Sequence, residues 1–163
     1  MRYFKFLCVS SLAFLLCLSC SSSKSRVGGT LGLDTDVKLT FTVDSTINPD
    51  EHQRPSPVFV RLYELKSSTV FAKSDFIDLY EHDADLLKAD LVGKQILKPF
   101  TPGETRQEHL ILQEATREVA LYVEFSQYRG STFRAVFPIT VHNVRANAFN
   151  VKISGTTITV EKK

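Results

Sequence analysis

The residue types able to do chemistry are few in this chain, and their spacing organises little. Four histidines, His52, His82, His109 and His142, are scattered, with no HxH or HxxxH pair to converge on a metal from one strand or helix. Asp83 and Asp85 flank Ala84 like the start of a calcium loop, but the glycine and closing glutamate of such a loop are missing. A charged helix face is the reading for this pair. There is no GxSxG, P-loop or GxGxxG. No cofactor and no metal are therefore expected. Of the three cysteines, Cys8 and Cys17 fall within the apolar N-terminal run, which leaves neither a disulfide framework nor a thiolate zinc site.

The cysteines carry information of another kind. Arg2 and Lys5 precede a charge-free apolar run from Phe6 to Leu18, and Cys20 and a serine-rich segment follow. A basic start, a short apolar core and small residues at the exit describe a secretory signal, and the run is shorter than the roughly 20 residues that span a bilayer. Leu18-Ser19-Cys20 resembles a bacterial lipobox, although Cys17 stands where that pattern prefers leucine. Cleavage before Cys20 leaves it as the single thiol of the mature chain in an oxidising compartment, where thioether lipidation removes the liability. Ordinary cleavage near Ser19, with Cys20 free, is the alternative. Ser21 rather than Asp follows the cysteine, which by resemblance to other lipoproteins directs the chain to the outer membrane. The expected organisation is a signal peptide over 1–19, a lipidated cysteine and Ser/Gly-rich linker over 20–33, and one folded domain over 34–163.

That domain must position whatever the chain presents. At 163 residues the whole chain has room for one domain, and 43% hydrophobic with 23% charged residues is ordinary for a globular fold. Loss of Arg2 and Lys5 with the leader leaves basic and acidic residues in equal number, which gives no footing for nucleic acid. Val37, Leu39, Phe41 and Val43 alternate with polar residues, as in a half-buried strand. Val58, Val60 and Leu62 face one way in the next, with Phe59, Arg61 and Tyr63 on the other side. Asn48-Pro49-Asp50 and Arg54-Pro55-Ser56-Pro57 punctuate the loop between them. A short helix is predicted next, with Ser74 as its cap, Asp75 in its first turn, and Phe76, Leu79 and Tyr80 on one face. Further strands are expected at 95–98, 106–112, 119–125, 132–140, and at 149–153 and 157–160 around Ser154-Gly155. About eight short strands with one helical insertion predict an all-β, antiparallel two-sheet sandwich.

Two resemblances bear on function. Tyr128-Arg129-Gly130-Ser131 resembles the YRGS signature that ends the transthyretin-related 5-hydroxyisourate hydrolases; here 32 residues follow it, and a glycine turn between two strands is the competing reading. A wider match runs from Asn48 to Leu65, NPDEHQRPSPVFVRLYEL, and continues through Asp75, Phe76, Leu79 and Tyr80, Pro102-Gly103-Glu104, Phe133-Arg134 and the C-terminal strands. With the lipobox ahead of it, this pattern resembles the outer-membrane lipoproteins of type VI secretion systems, the TssJ (SciN) family. That resemblance implies a transthyretin-like sandwich, no enzymatic activity, and a lipid anchor at Cys20 in the outer membrane with the domain facing the periplasm. It further implies binding to the periplasmic C-terminal domain of TssM, and through it an indirect link to TssL. The expected contact is the loop between the first two strands: Asn48, Asp50, Glu51, His52, Gln53 and Arg54. A lipid-anchored periplasmic binding module of another envelope system, and the hydrolase, stand as alternatives.

Overall fold

The computed structural model describes residues 35–142 and 147–163; the signal, Cys20 and linker readings lie outside the described residues. Among the described residues, eight strands form two four-stranded sheets. The strands are β1 (Thr35–Val43), β2 (Val60–Leu65), β3 (Leu91–Ile96), β4 (Thr105–Leu112), β5 (Glu118–Val123), β6 (Arg134–Pro138), β7 (Asn147–Ser154) and β8 (Thr157–Lys162). One sheet has the order β4-β1-β7-β8 and the other β3-β2-β5-β6. This is the two-sheet sandwich expected from the period-two alternation. All ladders are antiparallel except β1–β7, which runs parallel with Leu39 opposite Phe149. Alternation reports which face is wet and is silent on strand direction, so that pairing was not readable from it.

The core lies between the sheets. Leu39, Phe41 and Ile153 from one sheet meet Leu62, Leu121 and Val123 from the other, all essentially inaccessible to water. Each such side chain contributes roughly 1.5–3 kcal/mol by leaving water. The predicted β7–β8 hairpin forms, turning at Gly155 (φ +55) and Thr156 after Ser154 ends β7. Strand β3 starts at Leu91 rather than near Gln95, because its partner β2 extends the ladder down to Leu65.

The insertion between β2 and β3 holds two helices, α1 (Thr69–Lys73) and α2 (Phe76–Leu87), packed on the outer face of the β2-containing sheet. Ser74, predicted to cap this second helix, caps the first instead. Its hydroxyl donates to the Val70 carbonyl at 2.8 Å and closes α1, while Asp75 occupies the N-cap position of α2 with no side-chain capping bond. Phe76 and Leu79 are buried as predicted, together with Leu87. Tyr80 instead lies half exposed, its ring against Arg61 of β2. A second aromatic cluster fills the space under the helices, where the Phe76 ring stacks on Tyr128 at 4.5 Å and meets Phe133 edge-on at 5.1 Å. Tyr128-Arg129-Gly130-Ser131 is the turn joining β5 to β6, with the Ser131 N–H donating to the Tyr128 carbonyl and Gly130 at φ +75.

Candidate functional site

The loop from Asp44 to Phe59 leaves β1 at one end of the sandwich and is folded by its own short polar side chains. Asp44 Oδ1 accepts from both the N–H and the hydroxyl of Thr46 at 2.9 Å, which turns the chain as it exits the strand. Ile47 then plugs into the core, fully buried. Asn48 follows at φ +47, a left-handed conformation that asparagine tolerates better than most residues.

Asn48 is buried, and its side chain is consumed internally. Its Nδ2 donates to Ser56 Oγ and to the Pro57 carbonyl, both at 2.9 Å, so the two limbs of the loop are tied together. Its Oδ1 accepts from the Ser126 N–H at 2.7 Å, which ties the loop to the β5–β6 connection. Ser56 returns a bond to the Asn48 carbonyl at 2.7 Å. Of the six loop residues expected to contact a partner, Asn48 is thus the brace and has no polar group left to offer.

Asp50 closes the tip. Its Oδ1 accepts the His52 and Arg54 backbone N–H groups at 2.8 and 2.9 Å, and its Oδ2 accepts Arg54 Nε at 2.7 Å. The Asp50 and Arg54 backbones pair N–H to carbonyl at 2.9 Å, and the Gln127 side chain donates to the Asp50 carbonyl at 2.8 Å. The Arg54 backbone N–H, helped by its guanidinium and the His52 N–H, holds the Asp50 carboxyl below the usual carboxylate range despite slight desolvation. Glu51, His52, Gln53 and Arg54 are left exposed on this closed turn, with Gln53 at φ +60. Pro55 and Pro57, also exposed, fix φ on the returning limb. The result is a shaped, charged projection of both signs whose conformation is set before any partner arrives.

A polar cluster unforeseen in the sequence lies beside the returning limb, under α2. Arg61 is buried on the outward face of β2, and its Nε meets Glu124 Oε1 at 2.5 Å. Its NH1 donates to the Tyr80 carbonyl at 3.0 Å and lies 3.5 Å from Asp83 Oδ2. Asp83 also accepts from the Tyr63 hydroxyl at 2.7 Å and pairs closely with Lys94 of β3. Two cations and two anions therefore neutralise one another across two strands, the β5–β6 connection and a helix. The expectation of a charged solvent-facing pair fails for Asp83, which is buried, and holds for Asp85, which is exposed. The helix leaves regular geometry at His82 (φ −130, ψ 21), just before Asp83. The spacing did hold a signal: Asp83 falls on the stripe of Phe76, Leu79 and Leu87, where a lone carboxylate demands partners. Burial disfavours the charge on both Arg61 and Asp83. Glu124 outweighs it for Arg61, whose pKa is raised; Lys94 and the Tyr63 hydroxyl outweigh it for Asp83, whose pKa is lowered.

The remaining histidines sit apart: His82 exposed on α2, His109 of β4 at 3.2 Å from Asp36, and His142 after β6 with its N–H toward Thr35. Among the described residues no three metal-ligating side chains gather, and no helix is long and apolar enough to cross a membrane.

Comparison with known proteins gives one consistent picture. Residues 35–161 match the model of the type VI secretion lipoprotein family that includes VasD, EvfM and TssJ (T6SS-SciN). No curated protein matches in sequence. Among solved structures, the type VI secretion lipoprotein TssJ1 from Pseudomonas aeruginosa is similar with a TM-score of 0.73 and 25% identity, over 80% of this chain and 97% of that one. Serratia marcescens Lip, a membrane-bound component of the type VI secretion system, gives 0.71 and 21%, over 80% and 98%. A chain in a structure of the TssM C-terminal domain from EAEC gives 0.63 and 20%, over 77% and 97%.

Proposed function

Since the chain belongs to the type VI secretion lipoprotein family, we propose that it is a tether, lipidated at Cys20, held in the outer membrane and facing the periplasm. Its sandwich binds the periplasmic C-terminal domain of a TssM-type inner-membrane protein, and so connects indirectly to TssL. The loop between β1 and β2 makes the contact. Glu51, His52, Gln53 and Arg54 are the touching residues, and Asn48 and Asp50 hold them in place. No chemical step is part of this role.

The observation that carries the reading is the construction of the loop. Its exposed tip is closed by one carboxylate, Asp50, and braced from below by one buried amide, Asn48. A loop ordered in advance loses little conformational entropy on binding, and its charged tip gives specificity. The anchor suits a tether: one acyl chain holds a protein only marginally, whereas a multiply acylated cysteine holds it stably without any apolar patch on the fold.

Membrane fractionation combined with co-purification tests both halves. Wild type is expected in the outer-membrane fraction and to bring the TssM-type protein with it after detergent extraction. Cys20→Ser is expected as a soluble periplasmic protein that still binds the isolated TssM-type domain. Retained membrane attachment would overturn the lipidation reading, and absence of the TssM-type protein from the wild-type eluate would overturn the partner.

A further inference from the structure

The loop tip is too small to be a whole interface. A stable protein–protein contact buries about 800 Å² on each partner, from roughly 20–30 residues. Four exposed tip residues and two prolines fall well short of that. If the loop binds the partner, the partner must cover something next to it.

The surface beside the returning limb has the right character. Phe59 follows directly after Pro57-Val58, just ahead of β2, and is 47% exposed. It shares the outward face of β2 with Arg61, two residues on. Opposite Arg61 on β3 is Ile96, 59% exposed. Over Arg61 lies the ring of Tyr80, 47% exposed, with the guanidinium 4.9 Å from its centroid. The Glu124 N–H donates to the Phe59 carbonyl, and the Glu124 carboxylate fixes Arg61 from below. Three large exposed apolar side chains thus ring one buried, charge-compensated arginine. The same β5–β6 connection that carries Glu124 carries Ser126 and Gln127, which brace the loop. Patch and loop are one continuous surface on one framework.

Resting on the loop reading above, we propose that the partner's footprint extends from the 51–54 tip across Phe59, Tyr80 and Ile96, and that these apolar side chains supply most of the binding energy. The TssM-type domain then presents apolar side chains to the patch and charged or amide groups to the tip. Aromatic anchors at the centre with polar contacts at the rim form the usual division of labour in such interfaces. Arg61, already paired with Glu124 and Asp83, holds Tyr80 in place and needs no charge from the partner.

The test uses the full chain purified in detergent and the TssM-type periplasmic domain, with affinity measured by biolayer interferometry. Phe59→Asp and Ile96→Asp probe the patch at two exposed positions, so that misfolding of one leaves the other. A Glu51→Ala, His52→Ala, Arg54→Ala triple variant probes the tip and keeps the backbone bonds to Asp50. Melting temperature is recorded for each. At least tenfold weaker binding for both sets, with melting kept, is the expected result. Weakening by the tip variant alone, with patch variants within twofold of wild type, overturns the extended footprint and leaves the loop reading standing. Weakening by patch variants alone supports the patch and overturns the loop. No effect from either set overturns both.

Discussion

Replacing Asn48 by alanine tests the bracing of the loop without touching any exposed residue. The substitution removes two donor bonds and one acceptor bond. Ser56 keeps its bond to the residue-48 carbonyl, so two groups lose their partner: the Pro57 carbonyl and the Ser126 N–H. An orphaned buried polar group costs about 1–3 kcal/mol, and the lower end applies here because Pro57 and Ser126 lie near solvent. The backbone at φ +47 adds roughly 1 kcal/mol for a residue with a Cβ and no local polar side chain. The sum is about 3 kcal/mol. For a domain of this size that lowers Tm by roughly 10 °C in a calorimetric or circular-dichroism melt. Asn48→Gly, unstrained at that φ, should lose about 1 kcal/mol less. Part of the loss is local, so the binding-competent loop becomes a fraction of the population and apparent affinity for the TssM-type domain falls at least tenfold. A Tm within about 2 °C of wild type would refute the bracing argument. A lowered Tm with unchanged affinity would refute the link between loop shape and binding.

Other perturbations have equally definite outcomes. Asp83→Ala leaves Arg61, Lys94 and the Tyr63 hydroxyl without their shared acceptor and should destabilise by about 3 kcal/mol in urea unfolding; Asp83→Asn, which keeps an acceptor for Tyr63, should cost about half that. Because the folded pKa of Asp83 lies below its ordinary 3.8, its contribution is complete above that pH and is lost as pH falls through the folded value. Wild type should therefore lose stability below pH 3.8 more steeply than Asp83→Asn, and parallel acid-denaturation curves would contradict this. Arg54→Ala removes an exposed ion pair worth less than about 1 kcal/mol, so its Tm should stay within a few degrees while its affinity drops, as read by melting and binding side by side.

Much of this architecture was legible because burial and alternation are local. Val37 to Val43 spelled out β1 residue by residue, and Ser154-Gly155 marked the β7–β8 hairpin. Asn48, Asp50, Pro55 and Pro57 marked a loop, yet only the fold reveals that Asn48 points inward and Asp50 folds back on Arg54. Ser74 looked like a helix cap because Asp75 and an apolar stripe follow it. The five-residue helix α1 ahead of it has too few residues to show a period, so only the second helix is visible for Ser74 to cap. The Arg61–Glu124–Asp83–Lys94 cluster joins residues up to 63 positions apart, and no local pattern encodes that. Asp83 on a buried stripe was its one visible trace. The parallel β1–β7 pair was equally invisible, since both directions give the same alternation.

The proposed grip of the β1–β2 loop on the periplasmic domain of a TssM-type protein is open to direct measurement. Calorimetric titration of that domain into the purified chain, repeated with the Glu51, His52 and Arg54 alanine triple variant, tests it most directly. Saturable one-to-one binding at micromolar Kd or tighter, about −8 kcal/mol or better, and at least a tenfold loss in the variant are the expected results. No heat and no complex at high concentration, or a variant that binds as wild type does, would contradict it.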